Sequence, residues 1–405
     1  MHRGRRLDAI IWEWVSFFLR WTHVMAGIAW IGSSFYFVHL DLSLKQRQSL
    51  PEKAYGDEWQ VHGGGFYHMV KYLVAPPQLP EHVTWFKWEA YATWLSGFAL
   101  LVVVYYLGAR LYMIDPAVMD IHPISAVAYS LGGLFLGWFI YNEFCESDLA
   151  KSDLKLALSA FGLIVAFAVI YSFVFSGRGA FMQVGAIMGT IMAANVFMVI
   201  IPNQRKVVAS LKAGEAPDPT LGAKGKQRSL HNNYLTLPVV FVMIGNHYPL
   251  AYATQFSWAI LALVIVMGVS IRHFFNTQHR GLPSPWWTWG VTAAAGLAIV
   301  ALSLAGPAKR KESAEAPSAA VGALAEEAEM VVQSRCSMCH AQKPLWPGMA
   351  SAPKGVKLET WPDIAAHAGA IHMAAVASDA MPPGNVTAMT AEERKTLADW
   401  IAQTD

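Results

Sequence analysis

Eight runs of apolar residues, each broken only rarely by a charge, follow one another along residues 1–305: 10–40, 91–112, 124–145, 156–175, 180–201, 235–253, 256–274 and 286–304. About 20 apolar residues of helix cross the hydrocarbon core of a bilayer, so each run is predicted to be a membrane helix. The first is too long for a secretion-signal core and has no clear small-residue cleavage site, which makes it a span rather than a leader. No internal repeat relates the runs. The predicted fold class is all-α, a polytopic bundle of eight membrane helices.

After Gly306 the pattern changes. GPAKRKESAEAPSAAVGALAEE is rich in Pro, Ala, Ser and charge and reads as a linker over 306–325. Residues 326–405 are predicted to form a small polar helical domain, with helices at 325–335 and 361–377 and a closing helix in TAEERKTLADWIAQ. There Thr390 is placed to cap, Glu393 follows three residues later, and Leu397, Trp400 and Ile401 share one face.

Composition agrees with the pattern. Hydrophobic residues make up 55% and charged residues 14% of the chain, against roughly 25% charged in an ordinary soluble domain. The net charge of +2 gives no reason to expect a nucleic-acid partner. Lys and Arg supply an orientation. With eight spans and both termini outside, the inside loops are 41–90, 146–155, 202–234 and 275–285. Loop 202–234 alone holds Arg205, Lys206, Lys212, Lys224, Lys226 and Arg228, whereas the outer loops between helices offer only Arg110 and Arg178. The positive-inside rule then places residues 326–405 outside, in a bacterial periplasm. The basic N-terminal MHRGRR runs against this orientation.

That placement matters because Cys336, Cys339 and His340 spell C-x-x-C-H, the attachment site of a covalent c-type haem. Two thioethers would hold the porphyrin and His340 would supply one axial nitrogen. A methionine as the second ligand suits electron transfer. Among Met349, Met373, Met381 and Met389, Met381 is the best placed, heading MPPGN, where Pro382 and Pro383 stiffen the loop before the final helix. The domain is therefore expected to resemble a class I cytochrome c. A metal-binding or redox cysteine pair is the alternative for the motif, and plain packing the alternative for Met381. Cys145 is the only other cysteine, so no disulfide framework is expected.

Ionisable residues inside membrane helices point to function. His23 lies in RWTHVMAGIAWIGSSFYF, whose small residues allow close approach; Asn246 and His247 lie in MIGNHYP; Asn195 is in the fifth run. Trp138, Tyr141, Asn142 and Glu143 end the third. HNNY, residues 231–234, precedes the sixth, and His62 and His68 flank the glycines of HGGGFYH. The plainer uses are a carbonyl bond or a snorkelling ring for His39, His122 and His273, helix capping for Asn232 and Asn233, and a flexible loop for HGGGFYH. Two histidines from different helices, with His23 and His247 as candidates, would suit a non-covalent b-type haem or relay. Alternatively, histidines would bind substrate and move its protons.

Taken together, RWTHVMAGIAWIGSSFYF, HGGGFYH with the following KYLVAPPQLPEHVTWFKWEAYATWLSGF, HNNYLTLPVVFVMIGNHYP and the terminal CSMCH…MPPGN resemble the bacterial membrane-bound urate hydroxylases, over nearly the whole chain. That resemblance implies an eight-helix membrane domain fused to a cytochrome c, oxidation of urate to 5-hydroxyisourate without hydrogen peroxide, and electron delivery through the c-type haem to a downstream cytochrome c or terminal oxidase. It does not assign the urate-binding residues. The chemistry needs a base and amide donors for a flat ring, which makes His62, His68, His231 and Asn232 the catalytic candidates. HVMAGIAWIG also resembles the haem-binding first helix of a membrane protoporphyrinogen oxidase family. The competing class is a quinol-oxidising or partner-fed cytochrome c carrier; a mere anchor would need one helix, and seven more with buried polar residues argue against it.

Overall fold

The computed structural model describes residues 2–72, 80–115, 118–245, 248, 251–252, 254–304, 322–346, 352–377, 381–382 and 385–404. Each apolar run forms helix within these bounds. They are α1 (His2–Ser43), α2 (Trp88–Leu100) running on through a π-helical turn to α3 (Ala109–Tyr112), α4 (Pro123–Glu146), α5 (Asp153–Ser172), α6 (Gly177–Ala194) continuing into α7 (Ile201–Lys212), α8 (Pro219–Gly245), α9 (Ser257–His279) and α10 (Trp287–Leu304). By length and hydropathy, five helical segments among the described residues suffice to cross a membrane: Trp88–Tyr106, Pro123–Glu146, Asp153–Ser172, Gly177–Lys212 and Ser257–His279.

The bundle is arranged for lipid rather than water. Its outward positions carry large apolar side chains such as Ile124, Phe135, Leu158, Phe173 and Leu297, each at least 60% exposed. Its interior holds Gln183, Asn195, Arg228 and Asn233, all at most 1% exposed. Buried polar groups bonded to one another inside, with a greasy exterior, is what a solvent of hydrocarbon demands. Small residues bring the helices close: a Cβ on Gly133 of α4 would lie 1.6 Å from Tyr171 Oη of α5, and one on Gly268 of α9 would lie 2.6 Å from Pro238 Cδ of α8.

Two departures from sequence expectation bear on the site. First, the segment read as a glycine loop is a β-hairpin, β1 (Ala54–His62) pairing antiparallel with β2 (Gly65–Tyr72). Gly63 and Gly64 form its turn with φ of 57° and 81°, the left-handed geometry a two-residue hairpin requires and glycine permits. Second, α8 begins at Pro219, so Asn232 and Asn233 lie inside a helix and do not cap one, and Arg228, counted above as a loop charge, is buried.

The C-terminal segment forms α11 (Ala323–Arg335), α12 (Ser337–His340), α13 (Trp361–Ala366), α14 (Ala368–Ile371) with a following π turn, and α15 (Ala391–Thr404). The expected middle helix is thus broken at His367. The expected reciprocal cap of α15 is present: Thr390 N donates to Glu393 Oε2 (2.7 Å) and Glu393 N to Thr390 Oγ1 (3.2 Å). Leu397, Trp400 and Ile401 are buried against Val332, Ile364 and Ile371. Most of the expected linker, residues 306–321, lies outside the described residues.

Candidate functional site

Pro202 has no N–H to give the carbonyl four residues back, and its ring crowds that turn. The helix widens just before it into a π segment, Asn195–Ile200. Such widened turns re-aim side chains and recur at functional sites. Here the π segment borders a cavity of about 270 Å³. Trp30, Ser33, Ser34 and Phe37 of α1 form one wall. Thr84, Trp85 and Phe86 close another, Glu89 and Ala90 of α2 a third, and Gln204 of α7 with Ser229 and Asn232 of α8 complete it. Aromatic faces around a few convergent amides, hydroxyls and one carboxylate suit a flat, polar heterocycle.

A buried polar network stands behind Asn232. Asn232 Nδ2 donates to Met192 O (2.9 Å) and its Oδ1 accepts from Asn195 Nδ2 (2.9 Å), two bonds that together fix the amide. Asn195 Nδ2 also reaches Tyr141 Oη (3.2 Å), and its Oδ1 accepts from Arg228 Nη1 (3.3 Å). Arg228 continues to Asn142 Oδ1 (2.9 Å) and Glu146 Oε1 (3.3 Å), and its guanidinium lies over Tyr141 at 5.2 Å. Tyr141 Oη is 2.6 Å from His231 Nδ1. Asn232 therefore keeps one N–H and one lone pair for the cavity, backed by a cation two side chains away.

The four catalytic candidates are distributed unevenly. Asn232 lines the cavity, and His231 lies behind it, engaged by Tyr141. His62 and His68 are on the hairpin. His62 is exposed, while His68 Nε2 bonds Asp57 Oδ2 (2.7 Å) and its ring stacks on Trp59 at 4.2 Å. The His68 bond and the Arg47 guanidinium hold the Asp57 carboxyl below its ordinary range. Glu89, Gln204 and Trp85, none of which stood out in the sequence, join Asn232 only through the fold.

Of the b-haem candidates, His23 donates from Nδ1 to Thr93 O (2.9 Å), which leaves Nε2 unprotonated and able to ligate. His247 lies outside the described residues, as do Asn246, Met349 and Pro383.

In the C-terminal segment, the residues fit a covalent haem. Cys336 and Cys339 are free thiols, and burial pushes the Cys336 thiol up to about 11, unlike the lowered value of a reactive dithiol. His340 Nδ1 donates to Val356 O (2.9 Å), the kind of carbonyl bond that orients a metal-ligating imidazole. Cys336 and Met381 pack against the same apolar cluster, whereas Met389 is buried inside it at 3% exposure. Trp400 Nε1 is buried there without a partner among the described residues.

No curated protein and no solved structure matches the chain. Residues 9–304, the whole span of the apolar runs, match the urate oxidase N-terminal family. With that match over most of its length, the chain belongs to the urate oxidase N-terminal family.

Proposed function

We propose that the chain is a membrane-bound urate hydroxylase that converts urate to 5-hydroxyisourate in the α1–α2–α8 cavity. We further propose that it passes the electrons to a c-type haem on Cys336, Cys339 and His340. The observation that carries this is the family membership of residues 9–304, joined to a cavity whose lining suits a purine. The balance is urate plus water giving 5-hydroxyisourate, two protons and two electrons. The spare N–H and lone pair of Asn232, with Gln204 and Ser229, grip the carbonyl and N–H edge of the ring. Trp30 and Phe86 cover its faces. Glu89, the one carboxylate in the lining, takes the proton of the attacking water. Cys336, Cys339, His340 and Met381 would hold the haem, which would supply a one-electron outlet. The second histidine pair, His23 with His247, remains the candidate for a b-type haem. The domain boundaries proposed are 1–305, 306–325 and 326–405, with the last in the periplasm of a bacterial inner membrane, facing a cytochrome c or terminal oxidase.

The test is anaerobic. Purified oxidised protein is mixed with urate, and the c-haem absorbance and 5-hydroxyisourate are followed, with a haem extraction to count any b-type haem. Rapid reduction that Glu89→Gln slows at unchanged haem content supports the reading. Reduction by a quinol but not by urate would move the chain to the carrier class.

A further inference from the structure

A second polar cluster, built from α1, α8 and α9, shares no residue with the cavity. Arg272 of α9 is 6% exposed. Its Nε donates to Asn233 Oδ1 (3.1 Å) and its Nη2 to Asn276 Oδ1 (2.9 Å), while Asn276 Nδ2 also donates to Asn233 Oδ1 (3.0 Å). The guanidinium lies 4.0 Å from the centre of the Phe35 ring. Every acceptor is a neutral amide. No carboxylate among the described residues pairs with this cation, in contrast to Arg228, which has Glu146.

The hydrogen-bond count is one-sided. Asn233 Oδ1 receives two donors, which fixes the orientation of its amide; its Nδ2 is buried and has no partner among the described residues. No described residue accepts from Arg272 Nη1. Two turns further along α9, His279 Nδ1 is also buried without a partner among the described residues, and its ring meets His39 of α1 edge to face at 4.3 Å. A buried cation without an anion is costly, and the leftover N–H groups of Asn233 and Arg272 call for a ligand that accepts.

We propose that Arg272, Asn233 and Asn276 form a buried binding site for a small oxyanion, a carboxylate or a phosphate group, between α1, α8 and α9. The planar guanidinium fork matches either group. Phe35 covers the guanidinium face and leaves its edge for the anion. The oxyanion comes from solution or from a lipid headgroup. Trp286 and Trp289 pack on Phe274 of α9, and tryptophans gather at the headgroup level of a bilayer.

The test uses the full chain in detergent, at constant ionic strength set with chloride. Inorganic phosphate and acetate are titrated while thermal unfolding is followed, and tightly retained phospholipid is quantified by native mass spectrometry. One of two results is expected for the wild type: added anion raises the midpoint by several degrees, or one phospholipid per chain survives purification. The first identifies a soluble ligand and the second a headgroup, and Arg272→Gln abolishes whichever is seen. Should Arg272→Gln fail to fold, Asn233→Leu keeps the cation, and anion affinity is expected to fall about tenfold. An equal anion response and equal retained lipid in wild type and variants, or neither effect in the wild type, would overturn the site.

Discussion

Replacing Asn195 by leucine isolates what the network behind Asn232 does for substrate. Leucine keeps the branched shape of asparagine and is somewhat larger, so the change removes hydrogen bonds without opening a void. Three contacts are lost: to Asn232 Oδ1 at 2.9 Å, to Tyr141 Oη at 3.2 Å and from Arg228 Nη1 at 3.3 Å. A buried polar group left unpaired costs about 1–3 kcal/mol, whereas interhelical side-chain bonds in membrane bundles average about 0.6 kcal/mol. Arg228 keeps Asn142 and Glu146, so the three lost bonds count at the membrane average and the expected destabilisation is about 2 kcal/mol. Asn232 retains only its bond to Met192 O and is free to turn. Loss of one well-directed hydrogen bond to urate, about 1.4 kcal/mol, is a tenfold change in binding. KM for urate is therefore expected to rise about tenfold while kcat holds within a factor of three, since uniform binding is what is lost. The assay is steady-state urate oxidation beside thermal unfolding in the same detergent. A destabilised variant with unchanged KM would make the network purely structural and refute its role in holding the ring.

Three further outcomes follow from the geometry. Gly133→Ala places a methyl where Tyr171 Oη stands and is expected to destabilise by about 1–3 kcal/mol; adding Tyr171→Phe should recover most of that, read as a coupling in a thermal-unfolding double-mutant cycle. Asp57 has its folded pKa depressed by His68 and Arg47, so its contribution is present above the ordinary carboxylate pKa and lost as pH falls through the lower folded value. Hydrogen-exchange protection of β1 and β2 should drop across that acidic window in the wild type but not in Asp57→Asn. Met381→Ala should leave haem covalently attached yet change its axial ligation and lower its potential; an unaltered absorption spectrum would dismiss Met381 as ligand.

The apolar runs located the helices because a bilayer imposes a coarse, local demand for about 20 greasy residues that survives in any single sequence. The cap of α15 was equally legible, since Thr390 and Glu393 are three residues apart and meet without help from the rest of the fold. The hairpin was not, although AYGDEWQVH and GFYHMVKY flank a glycine turn, because neither segment alternates cleanly between apolar and polar residues. Glu89 and Gln204 were invisible for a deeper reason. They stand 115 positions apart in the sequence and meet Asn232 only because α2, α7 and α8 converge around a π segment. Arg228 was misread because a charge in a basic stretch looks solvated until the helix that carries it is known to start at Pro219.

The bond from His23 to Thr93 fixes more than the position of a ring. A carbonyl cannot donate, so the Nδ1 hydrogen is committed to it, and the weaker contact to Ser96 Oγ (3.3 Å) shares that same hydrogen because Ser96 spends its own on Ala92 O (2.6 Å). What remains is a single basic nitrogen in the bundle. Within this arrangement His23 works in one direction: it accepts a proton or binds an electrophile through Nε2, and it has no proton to give until one has first been delivered there.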